Sequence, residues 1–338
     1  MNTESIKQSY NMAGLFALSV RLVVGWTYFS AFWRRLIIAN KLDPDQAGYI
    51  GEKFNHFLPN ALGIKPIIEF LVLNPESLWW AMAVFTIVEG IVGLFIMFGL
   101  FTRLMSIGVF GLAMGILLGS GWIGTTCLDE WQIGVLGIAS GFMLFFSGSG
   151  YYSLDKYFMD RGSKFTLTKW FPFVGSGVLP IKKLKPIVLG GALAIFALTL
   201  FTNQYFHGGV YGTLHNKSVK PKLELSDAAI ENNELTFEVY RVEGADVYGS
   251  FLIGIQLLDK DGTILMHKDG SDLANFPEHD ISNHYVAKVK PGPHSLIIPL
   301  GSKADMTVDL SGIAFANGQP ATLKLIDISG AEWEIALE

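Results

Sequence analysis

VEGIVGLFIMFGLFTRLMSIG, residues 88–108, is apolar almost throughout, yet it places a carboxylate, Glu89, well inside one greasy run. It joins two such runs, 77–99 and 103–122. Three more, at about 12–33, 131–148 and 186–206, have comparable length. A helix needs about 20 predominantly apolar residues to cross the bilayer core, so five spans are expected. The first run is long, contains Arg21 and lacks a small-residue cleavage site, and so reads as a retained helix.

Composition agrees with a membrane protein. Half of the 338 residues are hydrophobic and 16% are charged, where soluble domains carry about 25% charged residues. Charge divides the chain: residues 1–206 hold 15 Lys/Arg against 11 Asp/Glu, and residues 207–338 hold 10 against 19. Neither part has the strongly basic surface that nucleic acid demands.

Lys and Arg favour the cytoplasmic side of a membrane. The connection 149–185 carries seven of them and 123–130 carries none. This puts the amino terminus in the cytoplasm, and 34–75, 123–130 and everything after 206 outside, as in a multi-pass protein of a bacterial inner membrane. The five positive charges of 34–75 (Arg34, Arg35, Lys41, Lys53 and Lys65) oppose that bias and are expected to serve a purpose there. The same stretch reads as one or two short amphipathic helices lying on the outer face.

Glycines recur at helix-packing spacing, Gly111, Gly115 and Gly119 in one run and Gly134, Gly137 and Gly141 in the next, where they would let backbones approach closely. After residue 206 the period changes to that of strands. Eight segments are expected: 235–242, 250–258, 263–268, 284–289, 294–300, 306–312, 321–327 and 332–337, with turns at DKDG (259–262) and ISGA (328–331). They suggest a β-sandwich of immunoglobulin-like build. The expected organisation is a four-helix membrane domain over 1–158 with outer loop 34–75, a cytoplasmic connection 159–185, a fifth span 186–206 and an extracytoplasmic β domain 207–338.

Charges inside spans are costly and usually paired. Counting residues from the expected helix ends puts Arg21 and Glu89 at equal depth, which predicts an Arg21–Glu89 pair, either a structural bridge or a polar pocket for an anion or a proton. Cys127 is the single cysteine, in GSGWIGTTCLDEWQIG (119–134). It reads either as a small buried hydrophobe or as a thiolate in a polar turn beside Asp129, Glu130 and Gln132. Trp122, Trp131, Trp79 and Trp80 form an interfacial belt or a stacking surface for a ring. Six of the seven histidines follow residue 206 and read as scattered surface residues. No motif for haem, an iron–sulfur cluster, a dinucleotide or a nucleotide phosphate is found, and no metal or flavin site is expected. Redox chemistry would therefore use a diffusible carrier or a partner subunit.

RLVVGWTYFSAFWRR (21–35), VEGIVGLFIMFGLFTRLMSIG (88–108) and GSGYYSLDKYF (148–158) resemble the DoxX-like superfamily of four-helix membrane proteins, and GSGWIGTTCLDEWQIG resembles its DoxD branch. The remainder resembles DoxA. The resemblance implies the subunits of thiosulfate:quinone oxidoreductase, which oxidise thiosulfate to tetrathionate and pass electrons to a membrane quinone as diffusible acceptor. On that reading Arg34 and Arg35 gather thiosulfate, Arg21 holds a sulfonate or polarises a quinone oxygen, and Cys127 forms a covalent sulfur adduct. Glu89 or Asp129 delivers protons, and the quinone sits near Trp122, Trp131 and Gln132. The partners expected are the bilayer, a second copy of the chain or a respiratory oxidase. Two other classes stay open: a sulfur-oxyanion transporter or sensor, and a structural subunit of a respiratory complex.

Overall fold

Each apolar run folds as helix in the computed structural model, which describes residues 3–46, 48–124, 129–245, 250–311 and 319–337. In chain order the helices are α1 (Thr3–Phe16), α2 (Leu18–Phe32), α3 (Ile50–Phe57), α4 (Lys65–Leu73) and α5 (Pro75–Phe98). There follow α6 (Thr102–Ser120), α7 (Asp129–Ser147), the short α8 (Leu154–Asp160) and α9 (Phe171–Val174), and α10 (Leu184–His207). The long apolar helices α5, α6, α7 and α10 can each cross a membrane, and α1 with α2 adds a bent pair. The protein is a multi-pass membrane protein.

The first run is not the single straight helix expected. It bends by 51° between Phe16 and Leu18, and α2 continues through a π-helical turn, Trp33–Ile38. Glu4, Lys7 and Gln8 make α1 the more polar arm, and it is the two arms together, Glu4–Phe16 and Leu18–Ile38, that have the length and hydropathy of a span. The arm that faces α5 therefore starts at Leu18 and not near residue 12, which moves every depth counted from its start.

Two units form, the first from Met1–Tyr49, Trp79–Gly121 and Asp129–His215, the second from Ile50–Leu78, Trp122–Leu128 and Asn216–Glu338. In the first, α2 packs antiparallel on α5 where both lack side chains. A Cβ added to Gly93 would stand 2.6 Å from the Gly25 carbonyl oxygen, so the two backbones touch, as lipid-embedded helices do when small residues face each other. Gly134 and Gly141 of α7 meet α6 in the same way, at Leu117 and at the Ser106 carbonyl. Gly111 and Gly115 do not: a side chain there would meet nothing within 4 Å. Ala17, Tyr28, Val92, Ile96, Val109, Leu112 and Leu144 are buried between these helices. Burial along α10 is confined to Thr202, Phe206 and His207 near its end, so the rest of its apolar surface is matched to lipid.

The second unit is built on ten strands: β1 (Lys222–Glu231), β2 (Glu234–Glu243), β3 (Ser250–Leu258), β4 (Ile264–Asp269), β5 (Ile281–Asn283), β6 (Lys290–Pro291), β7 (Leu296–Ile298), β8 (Lys303–Asp309), β9 (Thr322–Asp327) and β10 (Glu332–Ala336), with α11 (Gly270–Ala274) after β4. One sheet runs β1-β2-β8-β5 and the other β10-β9-β3-β7-β6, with β4 paired to β3, and all pairs are antiparallel. Leu235, Phe237 and Val239 of one sheet and Leu252, Ile255, Leu257, Leu323 and Leu325 of the other share one core. The alternation of buried and exposed residues along β2 and β9 is the period-2 pattern that the sequence carried.

Three expectations need correction here. β1 was not anticipated, because the register shifts between Ser226 and Ala229, with Asp227 at φ 51°, and this bulge breaks the alternation. Residues 284–289 are not a strand. Their polar backbone is met by side chains instead: Ala287 N–H donates to Asn55 Oδ1, and Val289 N–H to Asn283 Oδ1. Finally, the helices α3 and α4 of the loop do not simply lie free on a membrane face. Asn55 is fully buried within this unit, donating to the Gly301 carbonyl, and Leu58, Ile68 and Val72 pack with Tyr285. The opposite side of α4 leaves Ile67, Phe70 and Leu73 exposed.

Candidate functional site

Buried charge in the helical unit collects in two places. Where α5 ends and α6 begins, Asp155 of α8 is fully buried and accepts four hydrogen bonds, from Phe101 N–H (2.8 Å), Thr102 N–H (3.1 Å), Thr102 Oγ1 (2.8 Å) and Ser176 Oγ (2.8 Å). Two of these are backbone donors at the start of α6, which otherwise have no partner inside the helix. They also hold Phe101 in a left-handed conformation, φ 46°, which a non-glycine residue adopts only when its surroundings compensate. Burial pushes the Asp155 carboxyl above its ordinary value, and the bonds from Thr102, Ser176 and Phe101 pull it back.

Arg21 and Arg103 complete this cluster. Arg21 Nη1 donates to the Ser149 carbonyl (2.6 Å) and Nη2 to the Tyr152 carbonyl (2.5 Å). Arg103, fully buried, donates from Nε to the Phe145 carbonyl, from Nη2 to the Gly177 carbonyl (2.8 Å each) and from Nη1 to the Pro172 carbonyl. Ser149 Oγ bonds Ser176 Oγ (2.6 Å) and Ser153 Oγ (2.9 Å). These side chains and carbonyls clamp the 149–177 connection to the helix ends.

The predicted Arg21–Glu89 pair is therefore corrected. Glu89 of α5 is bridged by Arg35, from the π-helical turn. The carboxylate side chain is 3% exposed and the guanidinium 22%, and Arg35 also lies over the Phe85 ring at 5.8 Å. A π-turn is common at functional positions. Here it carries Arg35 round to face Glu89, whereas Arg34 beside it stays exposed with Nε on the Ser30 carbonyl. Glu89 lies in the long apolar helix α5 and Arg35 in the Leu18–Ile38 arm, and the guanidinium keeps part of its surface exposed.

A third element was missed from sequence altogether. Tyr28 of α2 is 5% exposed, and its hydroxyl reaches towards the Val109 carbonyl of α6 at 3.5 Å, a marginal hydrogen bond. Its only sequence signal is position, a tyrosine seven residues before Arg35 in an apolar run. It lines a cavity of about 470 Å³ between α2 and α7.

Other predicted positions fall elsewhere. Cys127 lies outside the described residues. Asp129 is exposed in the first turn of α7, and Gln132 is exposed one turn on. Trp131 donates Nε1–H to Thr202 Oγ1 at 3.0 Å, which ties α7 to α10. Trp122 is 1% exposed with its Nε1–H on the Phe57 carbonyl at 3.1 Å. It is a buried packing residue, not an interfacial anchor or an open stacking face. Trp79 and Trp80, 40% and 58% exposed, keep the character of a belt. Among the histidines, His284 is not a lone surface residue: its Nε2 is 2.7 Å from Asp305, in a network where Lys303 bridges Glu238. Glu238, His284 and Asp305 have the spacing of metal ligands, but the Lys303 ammonium already neutralises Glu238, and the cluster is a salt-bridge network.

Two family models match, one for each half of the chain. Residues 16–184 match the TQO small subunit DoxD, and residues 206–336 match the TQO small subunit DoxA. The chain belongs to the fused DoxD–DoxA family. It is thereby placed among the thiosulfate:quinone oxidoreductase small subunits. No solved structure matches the chain. Of the stretches that carry the resemblance, Arg21, Gly99–Arg103 and Ser153–Asp155 build the clamp just described. Tyr28, Arg35 and Glu89 lie in the same stretches, and the Arg35–Glu89 bridge is a separate contact.

Proposed function

We propose that this DoxD–DoxA chain is a thiosulfate dehydrogenase that couples two thiosulfates to one membrane quinone. Two S₂O₃²⁻, one quinone and two protons give S₄O₆²⁻ and a quinol, so the reaction needs an anion-collecting entrance, a proton donor at membrane depth and access for a lipid-soluble acceptor. The observation that carries the proposal is the Arg35–Glu89 bridge, a buried carboxylate with a partly exposed guanidinium inside an apolar bundle. Such intramembrane pairs mark ion or proton pathways by default.

In this reading the Arg35 end of the helical unit faces the periplasm and the amino terminus faces the cytoplasm. Arg34, exposed and already directed outward, draws the dianion by charge. Glu89 supplies protons as the quinone is reduced, and Arg35 holds its charged form between turnovers. Arg21, with both Nη groups on backbone carbonyls, shapes the connection and is not given to substrate.

Cys127 is assigned the sulfur chemistry. Its thiolate and the sulfane sulfur of one thiosulfate lose two electrons in total to the quinone, which takes two protons. The new S–S bond leaves a cysteine-bound sulfane–sulfonate. A second thiosulfate attacks the sulfane sulfur, tetrathionate departs and the thiolate returns, by ordinary thiol–disulfide exchange.

Thiosulfate-dependent reduction of decylubiquinone by the purified full chain, with tetrathionate as product, tests the activity. Folded protein that reduces no quinone defeats it, and uptake of thiosulfate without reduction favours a transporter. Cys127→Ser is expected to abolish turnover with the melting temperature unchanged; tetrathionate at the normal rate from that variant rules out the covalent route.

A further inference from the structure

The cavity between α2 and α7 has no role in holding the fold together. Its volume is about 470 Å³ and its walls include Val20, Val24, Ile133 and Leu136, with Tyr28 and Gly137 on the side towards the bundle. Its rim is apolar and open: Val23 and Leu136 are each 66% exposed and Ile133 is 47% exposed. These residues lie along α7, a helix long and apolar enough to cross a membrane, and along α2 in the bent pair, so the opening faces hydrocarbon.

The polar groups along it are unequal. Thr27 Oγ1 is turned back onto the Val23 carbonyl (2.9 Å) and Ser140 Oγ onto the Leu136 carbonyl (2.7 Å). Each bond stays within its own helix, as hydroxyls in apolar helices commonly do. The Tyr28 hydroxyl has only the 3.5 Å approach to Val109. Gly137 leaves it uncovered, since a Cβ at that position would come within 3.1 Å of the phenolic oxygen. Glu89, bridged by Arg35, belongs to α5, the helix that packs on the Tyr28 helix α2.

We infer that this cavity is the quinone site: an isoprenoid quinone enters sideways from lipid and sets one carbonyl oxygen against the Tyr28 hydroxyl. The inference rests on the proposed quinone chemistry and gives that chemistry a place. It replaces the predicted surface at Trp122, whose ring is buried elsewhere. An acyl chain of a phospholipid would fill the walls equally well, but it has no use for a hydroxyl donor in the wall or for a carboxylate on the neighbouring helix. A quinone needs both, because each oxygen takes up a proton as the ring accepts two electrons. Tyr28 donates one proton to the oxygen beside it and is reprotonated from Glu89, and the other oxygen takes the second proton from water as the quinol leaves for the membrane surface.

The test uses the full chain in lipid nanodiscs with an azido-benzoquinone bearing a decyl tail, followed by peptide mapping. Label is expected on residues 19–28 or 133–140, displaced by decylubiquinone and not by added phospholipid. Leu136→Trp, which fills the cavity from its exposed rim, is expected to cut that labelling at least fivefold and to raise KM for decylubiquinone about tenfold, leaving KM for thiosulfate unchanged. Tyr28→Phe is expected to keep the labelling and lose kcat. Displaceable label elsewhere, no displaceable label at all, or label at the cavity that phospholipid displaces and decylubiquinone does not, each overturns the site. Photolabelling needs no turnover, so a labelled cavity in an inactive protein would defeat the proposed activity while leaving the quinone site standing.

Discussion

Arg21 and Arg35 sit on the same helical segment, fourteen residues apart, and both are charged groups inside a membrane protein, but their surroundings differ in kind. Arg21 ends on backbone carbonyls, next to a buried aspartate that is itself saturated by four donors. Arg35 ends on one carboxylate and keeps part of its surface exposed. A charge whose partners are main-chain groups fixes geometry, since moving it would unmake a turn. A charge whose partner is a single titratable side chain can release it, which is what handling protons or anions requires. The difference teaches where to look: within the family stretches, Arg21, Arg103 and Asp155 belong to the fixed kind, and Arg35 with Glu89 to the kind that can do chemistry.

The largest effect should come from breaking the fixed end. Asp155→Ala strands two backbone N–H groups and the Thr102 hydroxyl in the interior, while the Ser176 hydroxyl keeps Ser149. Each unmatched buried donor costs about 1–3 kcal/mol, and the loss of the set is expected to cost about 3–5 kcal/mol. Thermal unfolding in detergent measures it. A variant that melts with the parent protein would show that the clamp does not hold the fold and would erase the contrast with Arg35.

Glu89→Gln is the converse. It keeps the shape of the side chain and removes the proton-carrying function, so kcat is expected to fall about 100-fold, equivalent to about 2.7 kcal/mol of barrier. The melting temperature should move less than in Asp155→Ala, because Arg35 retains exposure to solvent or headgroups. Quinone-reduction kinetics beside a melting curve decide it. A large loss of stability with kcat unchanged would make the Arg35–Glu89 bridge a second structural clamp.

The sequence was legible where a simple period governs. The apolar runs marked the spans, and alternation marked β2, β3, β4, β9 and β10 to within a residue or two. It was misleading where position had to be counted from an unseen break. Taking the first span to begin near residue 12 set Arg21 level with Glu89. The bend before Leu18 and the π-turn at Trp33–Ile38 shift the register, so that Arg35 makes the pair instead. Gly111 and Gly115 had the right spacing for packing and face open space, because spacing names a helix face without saying which neighbour it meets. Tyr28 was invisible for a related reason. A tyrosine in an apolar run looks like filler until the helix across from it is seen to present a glycine. Asp155 could have been found, since an acidic residue behind Ser153 in a polar turn has the pattern of a helix-start acceptor, though it caps the neighbouring α6.

Arg34 gives the smallest and sharpest test, because it separates attraction from chemistry at the functional end. It is exposed, its Nε bonds only the Ser30 carbonyl of its own helix, and it follows directly in sequence the turn residue Trp33. Removing it should not disturb the bridge one residue away, since it is Arg35 that holds Glu89 while Arg34 bonds its own helix. Arg34→Ala is therefore expected to leave kcat and the melting temperature near their parent values and to raise KM for thiosulfate up to tenfold, about 1.4 kcal/mol. If the effect is long-range attraction, it must shrink with ionic strength, because charges separated by more than about 8 Å are largely screened at 0.15 M salt. Parent and variant should then converge in KM as salt is raised. A KM ratio that ignores salt would mean direct contact with the substrate, and an unchanged KM at low salt would remove Arg34 from the path of the anion and leave Arg35 as the only cation of the π-turn that could meet it.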